Sequence, residues 1–277
     1  MHTAIIATGC LDKMQVTAGT PARYNLPLGE TPIPLNDFIG RHIQLRHTGI
    51  IRCTHCQRKT NKSFNQGYCF PCFKKLAQCD SCIVSPEKCH FHFGTCREPE
   101  WAQQHCHTDH IVYLANSSGI KVGITRASQM PTRWLDQGAI QALPFARVAD
   151  RYLSGLLEVL CKNFVADKTD WRALLRGDAE PVDLAASRTQ LLQQAQAGIL
   201  SLQAAHGIGA VQLLNDTVAQ QFSYPILRYP EKVNTFNFDK EPVVAGELLG
   251  IKGQYLLFAK GALNIRKFTA YEVELSA

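Results

Sequence analysis

The sequence of 277 residues has no long apolar run and no low-complexity segment. A helix that crosses a membrane needs roughly 18 or more consecutive apolar residues, and no run approaches that length. The opening stretch, MHTAIIA, has no basic run, and its apolar run is too short for a secretory signal. We therefore expect a soluble cytoplasmic protein with no membrane partner. A hydrophobic content of 45% can build one large or two modest domains.

Carboxylates are missing from one part of the chain, between Asp37 and Asp80. That interval carries eight basic residues: Arg41, Arg46, Arg52, Arg58, Lys59, Lys62, Lys74 and Lys75. A basic block beside cysteines indicates a polyanionic partner, most often nucleic acid, although it does not separate DNA from RNA. The alternative is a solvated face on a small metal module. The candidate nucleic-acid contacts are Arg58, Lys59, Lys62, Lys74, Lys75 and Arg126.

Cysteines are concentrated in one segment, with nine of the eleven lying between Cys53 and Cys106. A reducing compartment disfavours disulfides and therefore favours metal binding. Two Cys-x-x-Cys pairs separated by twelve residues would together complete a tetrahedral site. This spacing predicts structural zinc on four thiolates: Cys53, Cys56, Cys69 and Cys72.

A second cysteine cluster follows, with irregular spacing and more candidate ligands than one zinc ion needs. The preferred ligands are Cys79 and Cys82, then Cys89, Cys96 and Cys106, and finally His90. Zinc would make this a second structural site. An iron–sulfur cluster on four of these thiolates is the alternative, and at least one of the cysteines is expected to be an ordinary buried thiol.

The stretch from His110 to Gly138 predicts a strand, a tight turn, a second strand and a short helix. Residues 111–114 are β-branched, apolar or aromatic, and Asn116-Ser-Ser-Gly119 has turn chemistry. Residues 120–125 alternate between apolar and polar side chains, as a half-buried strand does. Pro131 suits the first turn of a helix, and Gly138 suits its end.

The overall pattern predicts an α+β fold: a small mixed sheet with helices, an inserted zinc-ribbon-like cysteine module, and flanking β-structure as a barrel or sandwich. An apolar helical stripe is expected within 145–164. Arg151, Ser154 and Glu158 share another face of this helix, and Gly155 beside them indicates a close neighbour. A short helix is expected to start in 167–172. The predicted segments are an N-terminal β segment at 1–50 that could pair with the C-terminal β region, the cysteine module at 51–107, the α/β core at 108–177, a helical segment at 178–221 and a C-terminal β domain at 222–277.

The stretch around the hairpin, roughly residues 108–170, resembles the core of the GIY-YIG nucleases. Ile111-Val112-Tyr113 stands at the first signature tripeptide and Lys121-Val122-Gly123 at the second. Arg133 lies on the following helix and Glu158 on a later one, in the order that the family uses. The whole chain is also similar to an uncharacterised bacterial family known only as a domain of unknown function.

The resemblance implies a metal-dependent endonuclease that hydrolyses phosphodiesters. Tyr113 would orient or deprotonate the attacking water, Arg133 would hold phosphate oxygens, and Glu158 would bind Mg²⁺ or Mn²⁺. Lys121 replaces the second signature tyrosine and could still meet a phosphate. Whether the chain is an enzyme therefore stays open.

The alternatives are a nucleic-acid-binding module without catalysis and an interaction scaffold whose metals are purely structural. For the individual residues, the role of Tyr113 could be limited to packing in the hairpin, and Glu158 could be an exposed carboxylate on a helix. Arg133 could form a structural ion pair with Asp136 or Glu158. The oligomeric state is not indicated by the sequence.

Overall fold

The computed structural model describes residues 4–165, 170–231 and 233–277, and within them the chain has the predicted α+β class. The strands are β1 (Ile5–Cys10), β2 (Gln15–Thr17), β3 (Arg23–Leu26), β4 (Ile33–Pro34), β5 (His42–Ile51), β6 (His110–Asn116), β7 (Ile120–Arg126), β8 (Gln141–Val148), β9 (Val211–Leu213), β10 (Gln220–Gln221), β11 (Val243–Lys252), β12 (Tyr255–Phe258), β13 (Gly261–Asn264) and β14 (Tyr271–Ser276). The α-helices are α1 (Phe70–Lys75), α2 (Pro99–His105), α3 (Thr132–Asp136), α4 (Arg151–Cys161), α5 (Trp171–Arg176) and α6 (Leu184–His206).

The largest sheet has six strands in the order β1-β14-β5-β11-β12-β13, so strands from both ends of the sequence lie side by side. A smaller sheet, β2-β3-β4, shares its hydrophobic core: Tyr24 and Leu26 pack with Leu45, Val244 and Leu263. Two sheets that enclose one apolar layer form a sandwich. Among the described residues the six-stranded order ends at β1 and β13 and does not close into a barrel.

The predicted hairpin is confirmed, with β6 lying between β7 and β8 in an antiparallel sheet that β9 and β10 extend. Alternate side chains of β6 point to opposite faces. One face contributes Leu114 to a core with residues of α4 and α6, including Leu157 and Leu191. The other face contributes Tyr113, which packs with Trp134 of α3.

Two helix predictions were wrong at their boundaries. Residues 145–148 belong to strand β8, and α4 begins only at Arg151, where the Asp150 side chain caps it by accepting from the Leu153 amide at 2.8 Å. A short apolar run is compatible with either a buried strand or a helix. Here residues 145–148 form a strand because β8 pairs with β6. In the predicted helical segment, α6 covers 184–206 and short strands follow. The short helix expected to start in 167–172 is α5, although 166–169 lie outside the described residues.

The cysteine module connects β5 to β6 and contains α1, α2 and several 3-10 turns. It docks on α4 at Gly155, where the sequence predicted a close neighbour without identifying it. A Cβ atom at Gly155 would lie 2.5 Å from the Glu87 nitrogen and 2.7 Å from the Pro86 Cβ. The absence of a side chain therefore lets the turn at 86–88 rest directly on the helix.

In the part of the chain that is described, no helix combines the length and the apolar character needed to cross a membrane.

Candidate metal centre and cationic cleft

The four cysteines of the two Cys-x-x-Cys pairs converge at one point. The sulfur atoms of Cys53, Cys56, Cys69 and Cys72 all lie within 4.8 Å of one another, and the Cys56 and Cys69 sulfurs are 3.7 Å apart. A tetrahedral zinc ion with Zn–S bonds of about 2.3 Å requires sulfur separations of about 3.8 Å. We call this group the first metal centre, because its geometry could hold a metal ion such as zinc.

Local backbone geometry builds each pair of the first metal centre. The Gln57 amide donates to the Cys53 carbonyl at 2.9 Å, and Gln57 adopts a left-handed φ of 58° that closes the turn. Cys69 precedes α1, whose first turn contains Pro71. Burial raises the pKa of the Cys53 thiol, but backbone donors at Cys56, Cys69 and His55 outweigh it and lower that pKa to about 6. The local backbone therefore favours the thiolate form at Cys53, whereas burial and the neighbouring thiols raise the pKa of Cys72.

Aromatic rings pack beside the first metal centre. The Phe64 ring lies 5.5 Å from that of Phe70 and 5.6 Å from that of Phe73, and the Lys62 ammonium sits 5.3 Å from the Phe64 centroid. Phe70 is nevertheless 55% exposed. The rings thus supply the small core that the module needs and leave one aromatic side chain at the surface.

The second cysteine cluster is organised differently. Ligand atoms of Asp80, Cys82 and His90 lie within 4.8 Å of one another. Cys79 is buried, and the groups that act on its thiol are Asn65, Arg97, Cys53 and Glu98. Cys79 therefore faces a different neighbourhood from Cys82. The remaining cysteines are partly exposed: Cys89, Cys96 and Cys106.

A cleft of about 950 Å³ lies where the cysteine module, the hairpin sheet and the sandwich meet. We call it the cationic cleft, because five basic residues and three acidic residues line it. The basic residues are Lys13, Arg126, Arg133, Arg151 and Arg266, and the acidic residues are Asp12, Asp136 and Glu158.

The positive charge of the cleft is concentrated at three arginines, namely Arg133, Arg151 and Arg266. Asp136 is already engaged by the Lys13 ammonium at 2.5 Å and by the Gln254 amide at 2.9 Å. Burial and the nearby Arg133 guanidinium lower the pKa of Arg266, and burial likewise lowers that of Arg151, where Arg133 also contributes. Guanidinium groups stay charged in proteins, so their mutual repulsion favours a bound anion.

Arg133 and Glu158 both line this cleft, although they come from different helices. The Glu158 side chain is 14% exposed and lies 3.5 Å from the Lys162 ammonium. Asp136 and Glu158, the two carboxylates considered as partners of Arg133, form ion pairs with Lys13 and Lys162 respectively.

Tyr113 lies beneath the cleft and does not contribute to its lining. Its side chain is fully buried, its hydroxyl donates to the Gln137 side chain at 3.1 Å, and its ring meets Trp134 edge-on at 5.7 Å. A Cβ atom at Gly123 would lie 2.8 Å from this hydroxyl. Burial raises the pKa of Tyr113 to about 12, against the opposing charge of Arg133. Tyr113 therefore supports the Arg133 side of the cleft from below.

The other predicted contacts are distributed around the cleft. Lys121 is buried opposite Ala115 on β6 and is not part of the lining. Arg126 lines the cleft, and Lys62 lines a neighbouring pocket of about 790 Å³. The remaining basic candidates are exposed on the cysteine module: Arg58, Lys59, Lys74 and Lys75.

The sequence did not identify Arg151 and Arg266 as cleft residues. Arg151 had a usable signal, because it shares a helix face with Glu158 at a spacing of seven residues. Arg266 follows β13 and reaches the cleft only through the tertiary fold, so no local pattern indicates it.

Comparisons with known proteins give one match. No curated protein and no solved structure matches the chain. A family model described as a protein of unknown function matches residues 40–273. The match spans β5 to β14 and includes the first metal centre and most of the cleft. The chain therefore belongs to the DUF2797 family of proteins of unknown function.

Proposed function

We propose that this metal-binding, GIY-YIG-like chain binds nucleic acid in the cationic cleft and hydrolyses a phosphodiester bond there with the help of a divalent cation. One observation carries the proposal: Arg133 of α3 and Glu158 of α4 line the same cleft. They are the residues that the resemblance assigns to the phosphate and to the cation.

Arg133 would grip the reacting phosphate. Its planar guanidinium can donate to two non-bridging oxygens at once and stabilises the charge that develops on phosphorus. Arg126, Arg151 and Arg266 line the same space and would contact neighbouring phosphates of the strand. This distribution of charge suits an extended polyanion.

Glu158 would hold Mg²⁺ or Mn²⁺, which are hard cations that prefer carboxylate oxygen. The bound cation would polarise the phosphate and neutralise the leaving oxygen. Glu158 lies 3.5 Å from the Lys162 ammonium, and a bound cation would compete with that ammonium for the carboxylate. Water would attack phosphorus and lose a proton to solvent, the P–O bond to the leaving oxygen would break, and that oxygen would take up a proton from solvent.

Tyr113 has a positioning role in this proposal. A hydroxyl that is fully buried and has a pKa of about 12 is a poor base at neutral pH. Because Tyr113 lies against Arg133 and packs on Trp134 of the same helix, it would fix the position of α3. Tyr113→Phe should therefore change cleavage less than Arg133→Ala does.

The cysteine module would extend the binding surface beyond the cleft. Lys59, Lys74 and Lys75 are exposed on it, and Phe70 presents an exposed ring on which a base could stack. Substitution of Lys74 and Lys75 by alanine should weaken binding and reduce its salt dependence, because fewer counterions are released.

Binding without cleavage is the second candidate. It is favoured by the burial of Tyr113 and by the position of Lys121 outside the cleft, since both signature positions are then withdrawn from the substrate. In this case the arginines act as phosphate contacts and Glu158 only shapes the cleft.

The experiment measures binding and cleavage of plasmid, single-stranded DNA and RNA, with Mg²⁺ or Mn²⁺, by the full chain and three variants. Arg133→Ala should weaken binding at least tenfold, and Glu158→Gln should abolish cleavage while binding persists. Arg228→Ala is the matched control, because Arg228 is 55% exposed and pairs with Glu247 away from the cleft.

The outcomes separate the candidates. Cleavage that requires Glu158 supports hydrolysis. Salt-dependent binding that requires Arg133 and is accompanied by no cleavage supports the second candidate and refutes the first. Cleavage that is unaffected by Glu158→Gln refutes both candidates as stated, because the activity would then not depend on the proposed cation ligand. No binding at low salt refutes both.

A further inference from the structure

Besides Cys79, four cysteines of the module lie outside the first metal centre, in a segment with almost no apolar core. Residues 80–107 form α2 and three single-turn 3-10 helices, and their only buried residues are Pro86 and Ala102. A segment this short and open needs an internal link to hold one structure. The unassigned thiols are Cys82, Cys89, Cys96 and Cys106.

Side-chain contacts of Asp80 bring together the three backbone segments that carry Cys82, Cys89 and Cys96. Asp80 accepts from the Arg97 side chain at 2.8 Å, and its carboxylate lies 3.3 Å from His90 Nε2. His90 follows Cys89, Arg97 follows Cys96, and Asp80 precedes Cys82 by two residues. The His90 ring also contacts the Thr95 hydroxyl at 2.8 Å, which ties Cys89 to Cys96 a second time.

Arg151 of α4 brings in the fourth thiol. Its backbone amide donates to the Cys106 carbonyl at 2.8 Å, and its guanidinium donates to the Ile83 carbonyl, beside Cys82, at 2.5 Å. Arg151 therefore holds the Cys106 backbone next to the turn that carries Cys82.

The spacing of these thiols differs from that of the first metal centre. Among the described residues, two groups have all their ligand atoms within 4.8 Å of one another, namely the first metal centre and Asp80–Cys82–His90. Cys89, Cys96 and Cys106 belong to neither group. Four cysteines held in one small segment, without the close sulfur packing of the first metal centre, match the four-thiolate ligand set of a cluster of irons and sulfides.

The compact group of Asp80, Cys82 and His90 is a poor zinc site. One Asp80 oxygen accepts from the Ser81 amide at 2.6 Å, and the other accepts from Arg97. Both ring nitrogens of His90 also have partners, at Thr95 and Asp80. These polar groups therefore act as a frame that orients the neighbouring cysteines.

We propose that Cys82, Cys89, Cys96 and Cys106 bind a four-iron, four-sulfide cluster. Cys79 is not a ligand, because it is buried in a different neighbourhood. The cluster lies just behind the cationic cleft, since Ile83, Pro86 and Arg151 line that cleft. Arg151 places a positive charge between the anionic thiolates and any polyanion in the cleft. This inference does not depend on hydrolysis or on nucleic-acid binding.

The test is metal and sulfide analysis of the full chain purified without oxygen, with the visible absorption spectrum. We expect a brown protein with about four iron and four sulfide per chain, in addition to about one zinc. Cys89→Ser and Cys96→Ser should each lose most of the iron and keep the zinc. Cys53→Ser should lose the zinc and keep the iron. Cys79→Ser and Cys161→Ser are matched controls that should keep both.

Retained zinc and an unchanged far-ultraviolet circular dichroism spectrum show that Cys89→Ser and Cys96→Ser are folded, and for Cys53→Ser the retained iron and the spectrum serve the same purpose. His90→Ala gives an independent measurement, because it should keep the iron if four thiolates hold the cluster. A second zinc with no iron overturns the proposal. Iron that survives in both Cys89→Ser and Cys96→Ser, or that disappears equally in Cys79→Ser, also overturns it.

Discussion

Gly155→Ala tests how the cysteine module is held against α4. The new Cβ would lie 2.5 Å from the Glu87 nitrogen, 2.7 Å from the Pro86 Cβ and 2.8 Å from the Pro86 carbonyl carbon. Two of these atoms are backbone atoms, and the turn contains a proline, so it cannot yield by rotating a side chain. Overpacking of this kind costs about 1–3 kcal/mol.

Alanine also improves helix propensity over glycine by about 1 kcal/mol, which opposes the clash. Because the clash is with backbone, we take the upper half of the overpacking range and expect a net loss of about 1–2 kcal/mol in the free energy of unfolding. Gly198→Ala is the matched control on α6. Its Cβ would meet only the Leu160 side chain, at 2.6 Å, which can change rotamer for about 0.5–1.5 kcal/mol. The control should therefore be nearly neutral.

Urea denaturation of the metal-loaded variants measures both free energies. Gly155→Ala should unfold at lower urea than the wild type, and Gly198→Ala close to it. The reasoning is refuted if Gly155→Ala is as stable as Gly198→Ala, because the contact with the turn at 86–88 would then cost nothing.

Three further predictions follow from buried and metal-binding groups. Burial lowers the pKa of His110 from 6.5 to about 4, so the unfolded chain takes up a proton at a higher pH than the folded chain does. As the pH falls from 6.5 to about 4, the free energy of unfolding of the wild type should therefore decrease by up to about 3 kcal/mol more than that of His110→Gln, as measured by denaturation. Burial acts to raise the pKa of Asp178, but the Lys252 ammonium at 2.7 Å outweighs this effect, so the pKa is lowered overall. The free energy of unfolding of the wild type should therefore decrease below about pH 4, and Lys252→Met should show a smaller decrease over the same pH range. Cys53→Ser should reduce bound zinc from about one per chain to almost none and lower the melting temperature, whereas Cys161→Ser should not change the zinc content.

The features that could be predicted from the sequence are those encoded locally. The turn chemistry at 116–119 and the strand pattern around it produce the hairpin that the structure contains. The two Cys-x-x-Cys pairs also converge as expected, because each pair folds within a few residues. Gly155 was expected to have a close neighbour, and it does.

The features that could not be predicted depend on distant parts of the chain. Lys252 looks like a surface charge in the sequence, yet it is fully buried and held by the Asp178 carboxylate, the Gly177 carbonyl and the Tyr229 hydroxyl. The burial of Tyr113 depends on α3 covering it. Arg266 enters the cleft from a segment far from the hairpin, so its role is visible only in three dimensions.

The six-stranded sheet also affects the order in which the chain can fold. β14 lies between β1 and β5, pairing Ser276 with Ile5 on one side and Tyr271 with Ile51 on the other. During synthesis, β1 and β5 must wait with unpaired edges until residues 271–276 emerge, while the hairpin at 110–126 can form at once. Closing such distant contacts is slow, so we expect the sandwich to complete after the hairpin and the metal module. Chains that stop before β14 would expose two strand edges and would be prone to aggregate.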